Sequence, residues 1–270
     1  MIDQLGDRQK AYERRETDRA FLPMIPVYAR IDGRSFSRFT KGLERPFDSR
    51  LADVMQAVTA TLVKDTNAVI GYTQSDEISL VFETTEIGEE MMFSGKVQKL
   101  CSVLAGIASS AFVVECVRSG GLLAEKAMAK MPHFDARVFQ LPSRTEAVNA
   151  LIWREKDAVK NAISMAAHHH HGHKSLQGLN SAQKIERMAE GGVDFFALPE
   201  RFRQGVFVRR VTREVVISDE QRLRIPEAKR PPEGTMVIRS AVVPVDMPLL
   251  VKVRNRNEVV FDGASPELIE

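Results

Sequence analysis

Residues 68–82 have the sequence AVIGYTQSDEISLVF, and this stretch constrains the fold more than any other. Two apolar runs, Ala68–Tyr72 and Ile78–Phe82, flank the polar and acidic segment Thr73–Glu77. Apolar runs of this length on either side of a short polar segment are typical of a β-hairpin. The sequence therefore predicts two antiparallel strands joined by a turn that carries Asp76.

The elements around this hairpin complete a β-α-β-β-α-β order. A strand at Val27–Ile31 and a helix at Asp48–Lys64, with Asp48 as its N-cap, precede the hairpin. A long helix at Glu86–Val117 and a strand at Phe134–Leu141 follow it. This order is that of the ferredoxin-like unit. We therefore predict an α+β fold, in which an antiparallel sheet carries two helices on one face and the first strand ends beside the hairpin turn.

The second half of the chain extends this unit. Further helices and strands are predicted at Arg144–Ala167, Ser181–Ala189, Val206–Val216, Val237–Val245 and Leu249–Val253, the last two forming a terminal β element. We accordingly divide the chain into an N-terminal domain at residues 1–143, which carries this unit, and a C-terminal helical and β-rich extension at residues 144–270 that packs on it.

The composition excludes several classes of protein. The 270 residues are 44% hydrophobic and 27% charged, which excludes a collagen-like or wholly disordered chain. Two cysteines, Cys101 and Cys116, are too few for a disulfide framework or a Cys-only zinc site, and we predict that both are core thiols. The net charge of +2 means that any surface for nucleic acid must be local.

The sequence also carries an expectation about location. The segment Met1–Arg19 is polar and does not read as a signal peptide. The longest uncharged apolar run, Cys101–Val114, is shorter than the roughly 20 residues that a membrane helix needs. We therefore expect a cytoplasmic protein without a membrane partner.

Two carboxylates are the first candidates for chemistry. Asp32 ends the first strand and Asp76 lies in the hairpin turn, so the predicted topology makes them neighbours. Hard oxygen ligands select Mg²⁺, and two such ions clamp the attacking and leaving oxygens of a phosphoryl transfer. A polymerase palm and a nucleotidyl cyclase share this layout. Gly33 allows a ligand to approach the backbone closely, and the turn at 34–36 can offer N–H groups to a triphosphate. Each motif alone is also compatible with an ordinary turn.

Several motifs, in order, resemble the tRNA(His) guanylyltransferase family. They are RIDGRSFSRF at 30–39, RPFD at 45–48, GYTQSDEIS at 71–79, FDAR at 134–137, WR at 153–154 with Asp157 and Asn161, and LPERFRQG at 198–205. The resemblance covers roughly residues 20–210. It implies a polymerase-palm domain that uses two Mg²⁺ ions, with ATP and GTP as substrates.

The resemblance assigns roles to individual residues. It makes Asp32 and Asp76 the catalytic metal ligands, together with the carbonyl of Gly33. The nucleotide is expected along Asp32, Gly33, Arg34, Ser35, Phe36 and Ser37, and against Ser75 and Asp76. Arg45 falls where the family usually has a lysine that serves the activation step. An arginine keeps the charge and can pair with phosphate through two hydrogen bonds.

The activity implied by the resemblance is nucleotide addition in the 3′-to-5′ direction at the 5′ end of a tRNA. The segment HKSLQG at 173–178 is similar to a guanylyltransferase-like branch that repairs truncated tRNAs on a template, and AVKN at 158–161 lacks a histidine of the eukaryotic enzymes. We therefore predict templated repair. The alternatives are non-templated addition of G at position −1 of tRNA(His), and a non-catalytic RNA-binding protein on a palm fold. A nucleotidyl cyclase is disfavoured, because its Gly-Gly-(Asp/Glu)-(Glu/Asp)-Phe turn is replaced by QSDEI at 74–78.

Other features carry weaker expectations. The family implies tRNA and nucleoside triphosphates as partners, and a homotetramer. Arg201–Arg230 holds nine basic and four acidic residues, which fits an RNA backbone or a solvated face. His168–His171 with His173 is expected to be an exposed tract, and Trp153 is predicted to be a core residue.

Overall fold

The computed structural model describes residues 4–86 and 89–269. The strands in this part of the chain are β1 (Val27–Gly33), β2 (Ile70–Gln74), β3 (Glu77–Phe82), β4 (Phe134–Gln140), β5 (Val206–Val216) and β6 (Met236–Val245). They form one antiparallel sheet in the order β4-β1-β3-β2-β5-β6. The first four strands have the order of a ferredoxin-like unit, so the predicted fold class is confirmed.

The helices include one whose start the sequence predicted at the wrong residue. They are α1 (Gln4–Thr17), α2 (Phe36–Phe39), α3 (Ser49–Thr66), α4 (Val97–Ser119), α5 (Gly121–Lys130), α6 (Arg144–His170), α7 (His173–Leu176), α8 (Ser181–Glu190), α9 (Glu200–Arg203), α10 (Asp219–Leu223) and α11 (Arg256–Asp262). The long helix α4 begins at Val97, not at Glu86. Three successive left-handed residues, Phe93–Gly95, prevent a right-handed helix from continuing there. Ile87 and Gly88, within the range predicted as helix, lie outside the described residues.

The two faces of the sheet are covered by different helices. Val27, Ala29 and Ile31 of β1 face one side, where they pack with α3, α4 and α5. Tyr28 faces the other side, where α6 and α11 close a second core. This alternation follows the two-residue period of a strand, and it puts Arg30 and Asp32 on the α6 side.

The predicted terminal β element is only partly correct. Strand β6 forms, but Leu250–Lys252 is a 3-10 turn rather than a strand. The turn places Leu250 and Val253, three residues apart, on the same buried side against α6. The helix α11 that follows was not predicted.

Strand β5 joins the two halves of the chain because it pairs with β2. The sheet therefore runs without a break from the first half into the second, and the division at residue 143 stays a prediction. Beyond Arg210, strands β5 and β6 form a two-stranded ribbon whose residues are mostly exposed on both faces.

Helix α4 is the one helix in the described residues that is long and apolar enough, by length and composition, to cross a membrane. Its residues Leu100, Leu104, Ala108 and Phe112 are buried in the core between α3 and β4. Core helices of soluble proteins pass the same test. Both cysteines lie on α4, where Cys116 is buried and Cys101 is half-buried.

Candidate active site

Asp32 and Asp76 meet where β1 ends beside the β2–β3 turn. Asp32 lies opposite Glu77 in the β1–β3 ladder, and the backbone N–H of Gly33 donates to the carbonyl of Asp76 at 3.1 Å. The connection between β2 and β3 is only Ser75-Asp76, shorter than the predicted five-residue segment. Ser75 adopts a left-handed conformation (φ 56°), and its hydroxyl donates to Asp76 Oδ1 at 3.1 Å. The structure thus brings the two predicted carboxylates together.

Both carboxylates are held in surroundings that oppose their negative charge. The pKa of Asp76 is raised, first by burial and then by the charge of Asp32. The pKa of Asp32 is raised by burial and by Asp135, against the opposing effect of nearby arginines. A divalent cation between the two side chains would remove this repulsion, so their chemistry fits Mg²⁺. Within residues 4–86 and 89–269 no group of three or more His, Cys, Asp or Glu side chains is arranged as a metal site. The other ligands of such a cation would therefore be backbone carbonyls, phosphate oxygens or water.

A cavity of about 660 Å³ opens beside the carboxylates. Of the predicted nucleotide-binding residues, Asp32, Arg45, Ser75 and Asp76 line it. Residues on α6 form part of the wall, including Arg154, Asn161, Ser164, His168 and His169. The volume lies within the range of small-molecule sites in proteins.

Residues 34–37, directly after β1, do not line this cavity. The side chains of Arg34, Ser35 and Ser37 are exposed, whereas Phe36 packs in the core against Phe39, Phe112 and Phe134. A Cβ on residue 33 would lie 2.3 Å from the ring of Phe36. The glycine is therefore required by packing against this ring, a reason that differs from the close ligand approach inferred from the sequence.

Arg154 is a site residue whose function was not apparent from the sequence. Its guanidinium donates to both carboxylate oxygens of Glu77, at 2.5 and 2.8 Å, and to Asp157 Oδ2 at 2.9 Å. Arg154 and Glu77 are 12% and 18% exposed. The WR motif drew attention to this arginine, but its partner is 77 residues away and only the fold reveals it. Since Arg154 holds both oxygens, Glu77 acts as its charge partner.

One expectation about these residues, the burial of Trp153, is wrong, and the role of the basic span stays a prediction. Trp153, predicted to be buried, is 52% exposed because it lies outside the buried stripe of α6. In the basic span, Arg209 donates to the carbonyls of Val259 and Val260, and Arg210 donates to the carbonyl of Lys64 at 2.8 Å. Both arginines therefore hold backbone carbonyls of α11 and α3, and contact between the basic span and RNA stays a prediction. The histidine tract ends α6, with His168 and His169 on the wall of the cavity.

Comparison with known proteins agrees with this architecture. The profile of the tRNAHis guanylyltransferase family matches residues 6–142, just over half of the chain. A probable tRNA(His) guanylyltransferase of Drosophila melanogaster is 29% identical over 221 residues, which cover 77% of this chain and 74% of the relative. A bacterial tRNA(His) guanylyltransferase-like protein in complex with ATP superimposes with a TM-score of 0.76 at 29% identity, covering 96% of this chain and 100% of the other. A bacterial tRNA(His) guanylyltransferase-like protein in complex with GTP superimposes with a TM-score of 0.70 at 26% identity, covering 93% of this chain and 95% of the other.

The ferredoxin-like sheet and its superposition on these structures define a palm-fold protein. The chain belongs to the tRNAHis guanylyltransferase family, and it is a transferase of that family.

Proposed function

We propose that this protein adds nucleotides in the 3′-to-5′ direction to the 5′ ends of tRNAs, and that the added base follows the opposite strand as a template. The observation that carries the proposal is the convergence of Asp32 and Asp76 at the edge of a cavity of about 660 Å³. The similar bacterial proteins in complex with ATP and with GTP support nucleoside triphosphates as substrates.

Asp32, Asp76 and the carbonyl of Gly33 are the residues that would hold Mg²⁺. Two bound Mg²⁺ ions would neutralise phosphate charge and increase the nucleophilicity of a coordinated hydroxyl. The pKa values of Asp32 and Asp76 are raised because their surroundings disfavour the charged form, so a bound cation would stabilise both carboxylates. Because Arg154 binds both oxygens of Glu77, this neighbouring acidic side chain does not compete for the cation.

The remaining residues of the cavity bind and orient the nucleotide. Arg45 and Ser75 are exposed on its wall, where a guanidinium and a hydroxyl can contact phosphate oxygens. In the first step a 5′-monophosphate of the RNA attacks the α-phosphate of ATP or GTP and pyrophosphate leaves. In the second step the 3′-hydroxyl of an incoming nucleoside triphosphate attacks this activated 5′ phosphate, and the activating nucleoside monophosphate leaves. A 5′-triphosphorylated RNA needs no activation.

The preference for templated repair rests on two features of α6 and α7. The stretch at 158–161 keeps Asn161 on the cavity wall but lacks the histidine of the eukaryotic enzymes, and HKSLQG at 173–178 is similar to the repair branch. With that histidine absent, selection is expected from pairing between the incoming nucleotide and the opposing base. An unpaired buried polar edge costs about 1–3 kcal/mol, which favours the matching nucleotide by about 5- to 150-fold. The proposal includes a homotetramer, as in the family.

The test compares labelled nucleotide addition to tRNA(His) lacking its extra guanosine with addition to several other tRNAs truncated at the 5′ end, in Mg²⁺. Templated repair predicts that each truncated tRNA is extended and that changing the opposing base changes the added base. Extension of tRNA(His) alone, always by G, would support the non-templated alternative instead. Binding of RNA without extension of any substrate would favour a non-catalytic RNA-binding protein.

A further inference from the structure

Trp153 is the single tryptophan of the chain, and it forms an exposed aromatic surface beside the candidate active site. Half of its side chain is accessible (52%). The guanidinium carbon of Arg154 lies 4.6 Å from the centre of the indole, and that of Arg30 lies 5.8 Å from it. Both distances are within the range of cation–π interactions. The indole is thus held in place by two arginines while much of it stays open to solvent.

The position of this surface relative to the carboxylates follows from the sheet. Arg30 precedes Asp32 by two residues on β1, so both side chains are on the α6 side of the sheet. Arg154, which contacts the indole, also binds Glu77, the residue opposite Asp32 in the ladder. Trp153 is therefore linked through Arg154 and Glu77 to the ladder position of Asp32. Trp153 and Arg30 do not line the cavity of about 660 Å³, whereas Asp32 and Arg154 do.

The arginine beside the indole is paired within the fold only by a long ion pair. Arg30 Nε is buried and has no hydrogen-bond partner in the part of the chain that the structure describes. Its nearest carboxylate oxygen, on Glu77, is 3.9 Å away, beyond hydrogen-bond distance. Arg30 is therefore only loosely paired within the fold, and its positive charge beside the exposed ring favours a ligand that combines a flat aromatic group with negatively charged oxygens.

These observations point to a ligand that combines a flat aromatic surface with hydrogen-bond acceptors, which is the chemistry of a nucleobase and its phosphate. We propose that Trp153, supported by Arg30 and Arg154, is a stacking site for the nucleobase at the 5′ end of the RNA substrate. This proposal rests on the proposed function, because it takes RNA to be the acceptor. The RNA is favoured over the free nucleotide because the indole lies outside the cavity that would accommodate a nucleoside triphosphate, whereas Arg154, which contacts the indole, lines that cavity together with Asp32.

The first experiment measures binding without chemistry. The fluorescence of the wild-type protein reports on Trp153 alone, and a base that stacks on the indole quenches it. The probe is an acceptor-stem RNA hairpin with either a normal or an abasic 5′-terminal nucleotide. We expect the normal hairpin to quench the emission and the abasic hairpin to bind about 5- to 150-fold more weakly, the factor that corresponds to 1–3 kcal/mol per stacked base. Equal binding and quenching by the abasic hairpin, or quenching by ATP or GTP alone, would overturn the proposal.

The second experiment separates stacking from catalysis. Trp153→Leu is expected to raise the KM for RNA about 5- to 150-fold, with the KM for the nucleotide unchanged, whereas Trp153→Phe keeps most of the RNA affinity. Phe196→Leu is the matched control, because Phe196 is 62% exposed and does not line the cavity. Thermal melting establishes that each variant is folded.

The outcomes distinguish the two proposals. A Trp153→Leu variant that extends RNA with the wild-type KM would contradict the stacking site and leave nucleotide addition intact. If the wild-type protein extends no RNA, the proposed function fails, and the hairpin binding measurements still decide whether a base stacks on Trp153.

Discussion

At the scale of single residues, two carboxylates of the candidate site lower the stability of the unliganded protein at neutral pH. Asp32 and Asp76 have raised pKa values because both are partly buried and Asp76 lies beside the charge of Asp32. A carboxylate with a raised pKa in the folded state contributes stability at low pH, and this contribution is lost as the pH rises through the folded-state pKa. At neutral pH both groups therefore destabilise the fold unless a cation is bound. This conflict between stability and charge is typical of functional sites.

Asp76→Asn should abolish nucleotide addition and at the same time raise the melting temperature of the metal-free protein at pH 7. Asparagine keeps an acceptor for the Ser75 hydroxyl and removes the repulsion, so a rise of roughly 2–4 °C is expected, equivalent to about 1 kcal/mol in a protein of this size. Asp32→Asn should likewise abolish nucleotide addition and raise the melting temperature. The measurement is thermal melting with and without Mg²⁺, together with the addition assay. Asp65→Asn, on the exposed side of α3, is the control and should change neither the melting temperature nor nucleotide addition. Near-normal addition by either active-site variant would contradict the metal assignment.

The residues of this site differ in how far they could be predicted. Asp32 and Asp76 were found because a strand-turn order fixes where they meet, and local sequence is enough to recognise that order. The pairing of Arg154 with Glu77, the exposure of Trp153 and the contact of Gly33 with Phe36 depend on which way α6 and α2 face. Helical periodicity gives the buried stripe of a helix but not the identity of the strand residue opposite it.

At the scale of secondary-structure elements, α6 is tied to the β2–β3 hairpin by an ion pair. Arg154 projects from the middle of the helix and binds Glu77, the first residue of β3, through two hydrogen bonds. Burial raises the pKa of Glu77 in spite of this arginine, which shows how much the carboxylate depends on its partner. The hairpin that carries Asp76 is therefore positioned from the opposite half of the chain.

Arg154→Met should destabilise the protein by about 3–5 kcal/mol, because it leaves Glu77 buried without a counter-charge. The double variant Arg154→Met/Glu77→Gln should recover much of this loss. Urea unfolding of the wild type, the two single variants and the double variant gives the coupling energy. Arg187→Met removes an exposed ion pair with Glu190 on α8 and is expected to change stability by less than about 1 kcal/mol. Additive effects of the two active-site substitutions would mean that the ion pair does not couple α6 to the hairpin.

Arg210 and Arg213, three residues apart on β5, should behave differently. Arg210→Ala removes a donor to the carbonyl of Lys64 at the end of α3, so we expect a loss of about 1 kcal/mol in stability. Arg213 is exposed on the ribbon, and Arg213→Ala should leave stability unchanged. Chemical unfolding compares the two variants, and the salt dependence of tRNA binding reports any phosphate contact. A stability loss in Arg213→Ala equal to that of Arg210→Ala would contradict this distinction.

Elements were predicted well where periodicity is strong, and less well where the backbone departs from it. The predicted ranges of β5 and of the start of α6 agree with the structure. The start of α4 was missed because the left-handed backbone at Phe93–Gly95 is not marked by a periodic pattern, and the 3-10 turn at Leu250 was missed because apolar content continues through Leu249–Val253 although the backbone conformation changes. Apolar content alone does not distinguish a strand from a buried turn.

At the scale of the whole molecule, one buried acid joins α6 to the C-terminal segment. Glu155 is 2% exposed, and its carboxylate accepts a hydrogen bond from the backbone N–H of Leu250 at 3.0 Å. Burial raises its pKa from 4.5 to about 8, despite that hydrogen bond. Because the folded-state pKa is the higher one, the stability that Glu155 contributes is complete below about pH 4.5 and is lost as the pH rises through about 8.

Glu155→Gln should therefore flatten the pH dependence of stability between pH 5 and pH 8. Glutamine keeps the acceptor for Leu250 but has no proton to lose, whereas the wild type should lose up to about 1.4 kcal/mol for each pH unit in this interval. Urea unfolding at several pH values measures the difference between the two proteins. Glu186→Gln, exposed on α8, is the control and should follow the wild-type curve. Parallel curves for Glu155→Gln and the wild type would show that Glu155 does not titrate in this range.

The ribbon formed by β5 and β6 has a consequence for how the chain can be divided. Strand β6 pairs with β5 along ten residue pairs, and α11 beyond it buries Val259, Val260 and Phe261 against α6. A protease site inserted at Pro232–Gly234, in the connection between the two strands, should therefore give two polypeptides that remain associated after cleavage. Co-elution of both fragments on size-exclusion chromatography, with nucleotide addition retained, is the expected result, and separation of the fragments without denaturant would contradict it. The protein could then be supplied as two separately expressed chains whose reassembly switches the enzyme on.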